Sequence, residues 1–103
     1  MATTVFELLA DPTRRRVLDE LRTRERSVGE LVDLLGMKQP TVSKQLRVLR
    51  EAGLASVRVE AQRRIYRLNP DGLREVDEWL APYRAIWDRR LDALEQTLDS
   101  MED

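Results

Sequence analysis

Seven polar side chains, Gln39, Thr41, Ser43, Lys44, Gln45, Arg47 and Arg50, are left over when the helical pattern beginning at Gln39-Pro40 turns Val42, Leu46 and Leu49 inward. Their chemistry is recognition rather than bond breaking. Amide, hydroxyl, ammonium and guanidinium groups match the donors and acceptors of base edges, and the cations also neutralise phosphate. Lys38 adds a cation at the head of this helix, whose unpaired backbone N–H groups favour an anion. Arg58, Arg63 and Arg64 supply further positive charge from a second segment.

Covalent chemistry has little to work with. The 103 residues include no cysteine and no histidine, which removes Ser–His and Cys–His catalysis along with the commonest metal ligands. An enzyme would need carboxylates or Lys alone, and no such set converges in the sequence. No catalytic residue, metal or other cofactor is therefore expected.

Charge is distributed unevenly. Charged residues make up 36% of the chain, yet the formal net charge is −1. Residues 36–67 hold 8 Lys/Arg and 2 acids, against 6 Arg and 7 acids in residues 1–35 and 4 Arg and 10 acids in residues 68–103. A basic block inside a near-neutral protein is the electrostatic footprint of a phosphate-binding surface. It is equally the composition of a solvated helix face, so the elements must decide.

Each helix start carries a cap. Thr4 with Glu7 has capping-box spacing, Asp11-Pro12 opens a second helix carrying Val17, Leu18 and Leu21, and Ser27 with Glu30 forms another box. In the third helix Val28, Leu31, Val32 and Leu35 recur at i, i+3, i+4 and i+7, and Gly36 stops it. The next helix, about 39–52, follows after a short turn and ends at Gly53. Two helices joined this tightly must cross steeply, which is a helix-turn-helix over about 28–52. Residues 55–60 and 64–68 read as a β-hairpin joined by Ala61-Gln62-Arg63, a basic wing beside the helix-turn-helix.

Asn69-Pro70 caps the last element, about 70–101. Here Leu73, Val76, Leu80, Tyr83, Trp87, Leu91, Leu94, Leu98 and Met101 recur at steps of three and four. A domain of this size has too little core to cover that stripe. Pro82 is expected to kink this helix or split it into 70–80 and 82–101. The result is one domain over 1–103, mainly α with a small β-hairpin (α+β), in the order α-α-α-α-β-β-α. The start MATTVFELLADPTRRR lacks a basic, then apolar leader, and no apolar run approaches the roughly 18 residues of a bilayer span. A cytoplasmic protein without a membrane partner is expected.

The stretch ELVDLLGMKQPTVSKQLRVLREAGLASVRVEAQRRIYRL, preceded by LADPTRRRVLDEL, resembles the winged helix-turn-helix repressors of the bacterial ArsR family over roughly residues 6–68. The resemblance implies a homodimer joined through its first and last helices. Val5, Phe6, Leu9, Leu73, Val76, Trp79, Leu80, Tyr83, Ile86, Trp87, Leu91, Leu94 and Leu98 are the residues of this sequence that would form that interface. It also implies that Thr41, Ser43, Lys44 and Gln45 read DNA. Lys38 departs from the family, which usually carries Ser there. The segment ELVDLLGM lacks the family's metal-binding cysteines and the last helix lacks its histidines, so metal and thiol sensing of those kinds are not expected. The tail resembles the cysteine-free branch, often plain autorepressors whose inducer is unknown.

The expected function is a repressor that binds double-stranded DNA at an inverted-repeat operator. The alternative is a winged-helix module that presents its basic face to an acidic protein. Several residues admit two readings. Trp79, Tyr83 and Trp87, at i, i+4 and i+8, wall an effector pocket or, as favoured here, pack in the dimer. Asp88, Asp92, Glu95 and Asp99 clamp a cation or, as favoured, form a solvated face. Arg14, Arg15 and Arg16 reach phosphate or keep the second helix soluble. Tyr66 packs in the hairpin rather than stacking on a base.

Overall fold

Thr4 accepts a hydrogen bond from the Glu7 backbone N–H at 3.2 Å and starts α1 (Val5–Leu9). The computed structural model describes residues 4–101, so the first three and last two residues of the expected single domain lie outside the described residues. Asp11 accepts from the Thr13 N–H at 2.8 Å and starts α2 (Pro12–Thr23). Ser27 and Glu30 complete a reciprocal capping box at the head of α3 (Val28–Leu35), each bond 3.2 Å long. Gly36 closes that helix at φ 64°, a left-handed conformation that glycine adopts without a Cβ penalty. The second helix of the helix-turn-helix, α4 (Gln39–Glu51), then begins from Lys38, which makes no side-chain cap.

The sheet departs from expectation in two places. Strands β2 (Ala55–Glu60) and β3 (Arg63–Leu68) pair from Ala55↔Leu68 to Glu60↔Arg63, so the connection is the two residues Ala61-Gln62 and Arg63 belongs to the strand. Ala61 takes φ 55°, supplying the left-handed step that such turns require. A further strand, β1 (Arg26–Ser27), pairs antiparallel with β3 and gives the order β1-β3-β2. The expected order α-α-α-α-β-β-α is corrected to α1-α2-β1-α3-α4-β2-β3 and a final helix. Two residues are too few to show an alternating pattern, which is why β1 has no signature of its own.

Asn69 is also corrected. It does not cap a helix with its side chain; its Nδ2 donates to the Gly53 carbonyl at 2.9 Å, stitching the end of β3 to the corner after α4. Pro70–Leu73 forms a 3₁₀ turn, and α5 (Arg74–Met101) runs unbroken for 28 residues. Of the kink or split expected at Pro82, the split does not occur. Pro82 lies on an exposed stretch, where water can serve the carbonyl that its missing N–H leaves free.

The core is assembled from α1–α4 and the sheet. Leu8, Val17, Leu31, Val42, Leu46, Leu49 and Leu54 are fully enclosed. Helix α5 contributes no buried residue, and every position from Ala85 to Met101 is exposed. Its projection gives the molecule extents of 64 × 34 × 22 Å and a radius of gyration of 18.7 Å. A compact chain of this length would have about 13 Å. Among the described residues no helix is long and apolar enough to cross a membrane.

Candidate nucleic-acid interface

Burying Val42, Leu46 and Leu49 fixes the roll of α4 and leaves Gln39, Thr41, Ser43, Lys44, Arg47 and Arg50 exposed, with Lys38 exposed just before them. Between α4 and β3 lies an open groove of about 530 Å³ lined by Gln39, Ser43, Lys44, Arg47, Arg50, Arg64 and Tyr66. Helix and wing thus present one continuous concave face. Lys38, Lys44, Arg47, Arg50 and Arg64 make no ion pair or side-chain hydrogen bond among the described residues, so their charges are available to an external anion. Tyr66 is buried beneath the groove as hairpin packing.

Gln45 is a correction to the outward set. Its side chain is 8% exposed, and its Oε1 accepts from Arg14 Nε at 2.9 Å. The spacing explains this: Gln45 stands three residues after Val42 and next to Leu46, on the inward side of the helix. Arg14 is thereby assigned too. Arg15 donates to the Leu9 carbonyl at 2.6 Å, and Arg16 donates to the Leu35 carbonyl at 3.1 Å, one of the carbonyls that the end of α3 leaves unpaired. Arg14, Arg15 and Arg16 of α2 therefore all bond within the chain.

The wing arginines differ from one another. Arg63 donates to Ser27 Oγ at 3.0 Å and Glu30 Oε1 at 3.2 Å, and Arg58 pairs with Glu25 at 2.9 Å and Glu60 at 3.1 Å. The Ser27 backbone N–H, donating to the Glu30 carboxylate, holds that group below its ordinary pKa of 4.5, and Arg24 adds to the effect.

A second, apolar surface runs along α1 and α5. Phe6 of α1 meets Trp79 of α5 edge-on with ring centroids 5.8 Å apart, and Trp79 stacks at a tilt on Tyr83 at 5.0 Å. Ile86, Trp87, Leu91, Leu94 and Leu98 extend this exposed stripe along α5. Val5, Leu9 and Leu73 pack partly against the core instead. Leu9, Leu73, Val76 and Leu80 also wall an apolar groove of about 420 Å³ between α2 and α5. No three acidic side chains converge as a metal-ligand set among the described residues.

Comparison with known proteins agrees with this architecture. Residues 11–57 match the model of the bacterial regulatory protein family arsR. The HTH-type transcriptional regulator Rv2034 of Mycobacterium tuberculosis is 37% identical over 98 residues, covering 95% of this chain and 89% of that protein. The transcriptional repressor SdpR of Bacillus subtilis is 30% identical over 76 residues, 74% of this chain and 84% of that protein. Among solved structures, Mb0332 of Mycobacterium bovis, a homodimeric winged helix-turn-helix DNA-binding domain, is 31% identical with a TM-score of 0.62, over 85% of this chain and 79% of that one. With matching sequence over nearly its full length, and with the helix-turn-helix and wing in place, this chain belongs to the arsR family and is a winged helix-turn-helix transcriptional regulator.

Proposed function

We propose that the protein is a repressor that binds an inverted-repeat operator in duplex DNA as a homodimer. In this reading Lys38, Gln39, Thr41, Ser43, Lys44, Arg47, Arg50 and Arg64 face DNA. The observation that carries it is the groove in which Lys44, Arg47 and Arg50 of α4 and Arg64 of β3 converge without partners among the described residues. A major groove admits one α-helix, and a basic strand pair beside that helix reaches the neighbouring backbone.

The dimer is supported by the uncovered stripe from Phe6 and Trp79 to Leu98, by the extended shape and by the homodimeric relative. Two copies joined along α1 and α5 would hold their α4 helices about 34 Å apart, one turn of DNA. Repression then requires only occupancy of promoter DNA. No reaction step is involved.

Titrating the protein with its own promoter fragment tests this reading. A contact with 6–10 phosphates should lose about 10³–10⁵ in affinity between 50 and 200 mM salt. Lys44→Ala and Arg47→Ala should each weaken binding by about 1–3 kcal/mol with the thermal midpoint unchanged. Weak, sequence-indifferent DNA binding would overturn the reading in favour of a module for acidic proteins.

A further inference from the structure

Arg58 and Arg63 flank the tip of the wing, where a DNA-binding protein would be expected to place phosphate ligands, yet both are engaged by acids of the preceding segment. Arg63 reaches Ser27 Oγ and Glu30 Oε1, while the other oxygen of Glu30 accepts from Arg24 at 2.7 Å. Arg58 reaches Glu25 from the neighbouring strand. Both strands of the hairpin are thus tied to the segment 25–30 that leads into α3. The backbone adds only the pairs Arg26↔Tyr66 and Ser27↔Ile65. A two-stranded hairpin is marginally stable alone, and a two-residue strand is a short hinge for it. Arg64, the next residue of β3, makes no such pair among the described residues and lines the groove with α4.

We propose that Arg58 and Arg63 are positioning residues that clamp the wing to the head of α3 through Glu25 and Glu30, and so set where Arg64 meets the DNA backbone. The inference rests on the DNA-binding reading above. It removes two residues from the phosphate contacts and gives the capping-box carboxylate a second task, because Glu30 serves the helix start and the wing together.

The sign of one substitution separates clamping from simple charge. Glu30→Gln keeps a capping-competent side chain and removes a negative charge beside the DNA face, so Coulomb attraction alone would tighten operator binding. The clamp requires the reverse, a weakening of about two- to fivefold, the range expected from losing a partly exposed ion pair. Arg63→Ala should weaken binding by a similar factor, and the double variant by no more than either single one. The salt slope should be unchanged in Arg63→Ala and lower by about one in Arg64→Ala.

In the free protein, backbone relaxation of residues 61–64 should show greater motion in Glu30→Gln than in the unmodified chain. Tighter or equal binding by Glu30→Gln, or a slope lower by about one in Arg63→Ala, would overturn the clamp and make Arg63 a phosphate ligand. If the unmodified chain binds no duplex, the repressor reading fails by itself and the relaxation measurement still decides the clamp. Unaltered amides in Glu30→Gln then overturn it, and looser ones uphold it.

Discussion

Arg14 Nε and Gln45 Oε1, 31 residues apart in sequence, meet at 2.9 Å and fasten α2 to the middle of α4. The bond turns a polar residue of α4 into part of that helix's support. Gln45→Ala should therefore lower stability by about 1–3 kcal/mol, because it takes the acceptor from the part-buried Arg14 Nε, leaving that guanidinium only its 3.8 Å pairing with Asp11. Urea unfolding measures this directly. The double variant Arg14→Ala/Gln45→Ala should cost less than the sum of the two single ones. An unchanged unfolding midpoint combined with lost operator binding would instead make Gln45 a base reader.

Glu30 gives the fold an acid-sensitive contact. Its pKa is held below 4.5 chiefly by the Ser27 backbone N–H, so the folded state binds the Glu30 proton more weakly than the unfolded chain does. The contribution is then fully present above the ordinary carboxylate pKa and is lost as pH falls through the lowered folded value. Relative to Glu30→Gln, the unmodified protein should keep its stability advantage at neutral pH and lose it below about pH 4.5. Paired denaturation curves across that range check the prediction. An advantage that grows on acidification would contradict the assignment.

Gly72 sits where no side chain fits. A Cβ there would lie 2.5 Å from the Gly53 carbonyl oxygen and 2.8 Å from a Leu54 methyl, at the corner that Asn69 stitches. Gly72→Ala must push backbone aside and should destabilise by about 1–3 kcal/mol. The shift in thermal midpoint reads this out, with Gly29→Ala, where a Cβ would meet Ser27 Oγ at an ordinary 4.0 Å, as the comparison that should not show a clash.

The stripe on α5 predicts an oligomer that charge can break. Leu91 and Leu94 are more than half exposed in the single chain, and burying each against a partner is worth about 1.5–3 kcal/mol. Replacing both with Glu should give monomers that keep the core fold, since neither packs on it, and that bind DNA poorly. Light scattering decides the matter. A doubly substituted protein that is still dimeric would place the interface elsewhere.

Much of this is legible in the sequence alone. Caps at Asp11 and Ser27, the stop at Gly36 and the inward spacing of Val42, Leu46 and Leu49 all appear as expected, because each is a local signal. What escaped depends on distant partners. Polarity sent Gln45 outward when its spacing from Val42 pointed inward, and only Arg14 explains a buried amide. β1 exists because β3 pairs with it, not because two residues prefer to be a strand. Asn69 carries a cap-like sequence but finds a better use across the corner at Gly53. Likewise Arg58, Arg63 and Arg64 look equivalent in composition, and only the positions of Glu25 and Glu30 distinguish them.

Selection of bound fragments from genomic DNA, carried out with the unmodified protein at physiological salt, tests the central claim most directly. The account predicts enriched fragments that share an inverted repeat whose half-site centres lie about 10 base pairs apart or a multiple of that. Enrichment of isolated half-sites with no second copy at a fixed spacing, or no enrichment above background, would contradict it.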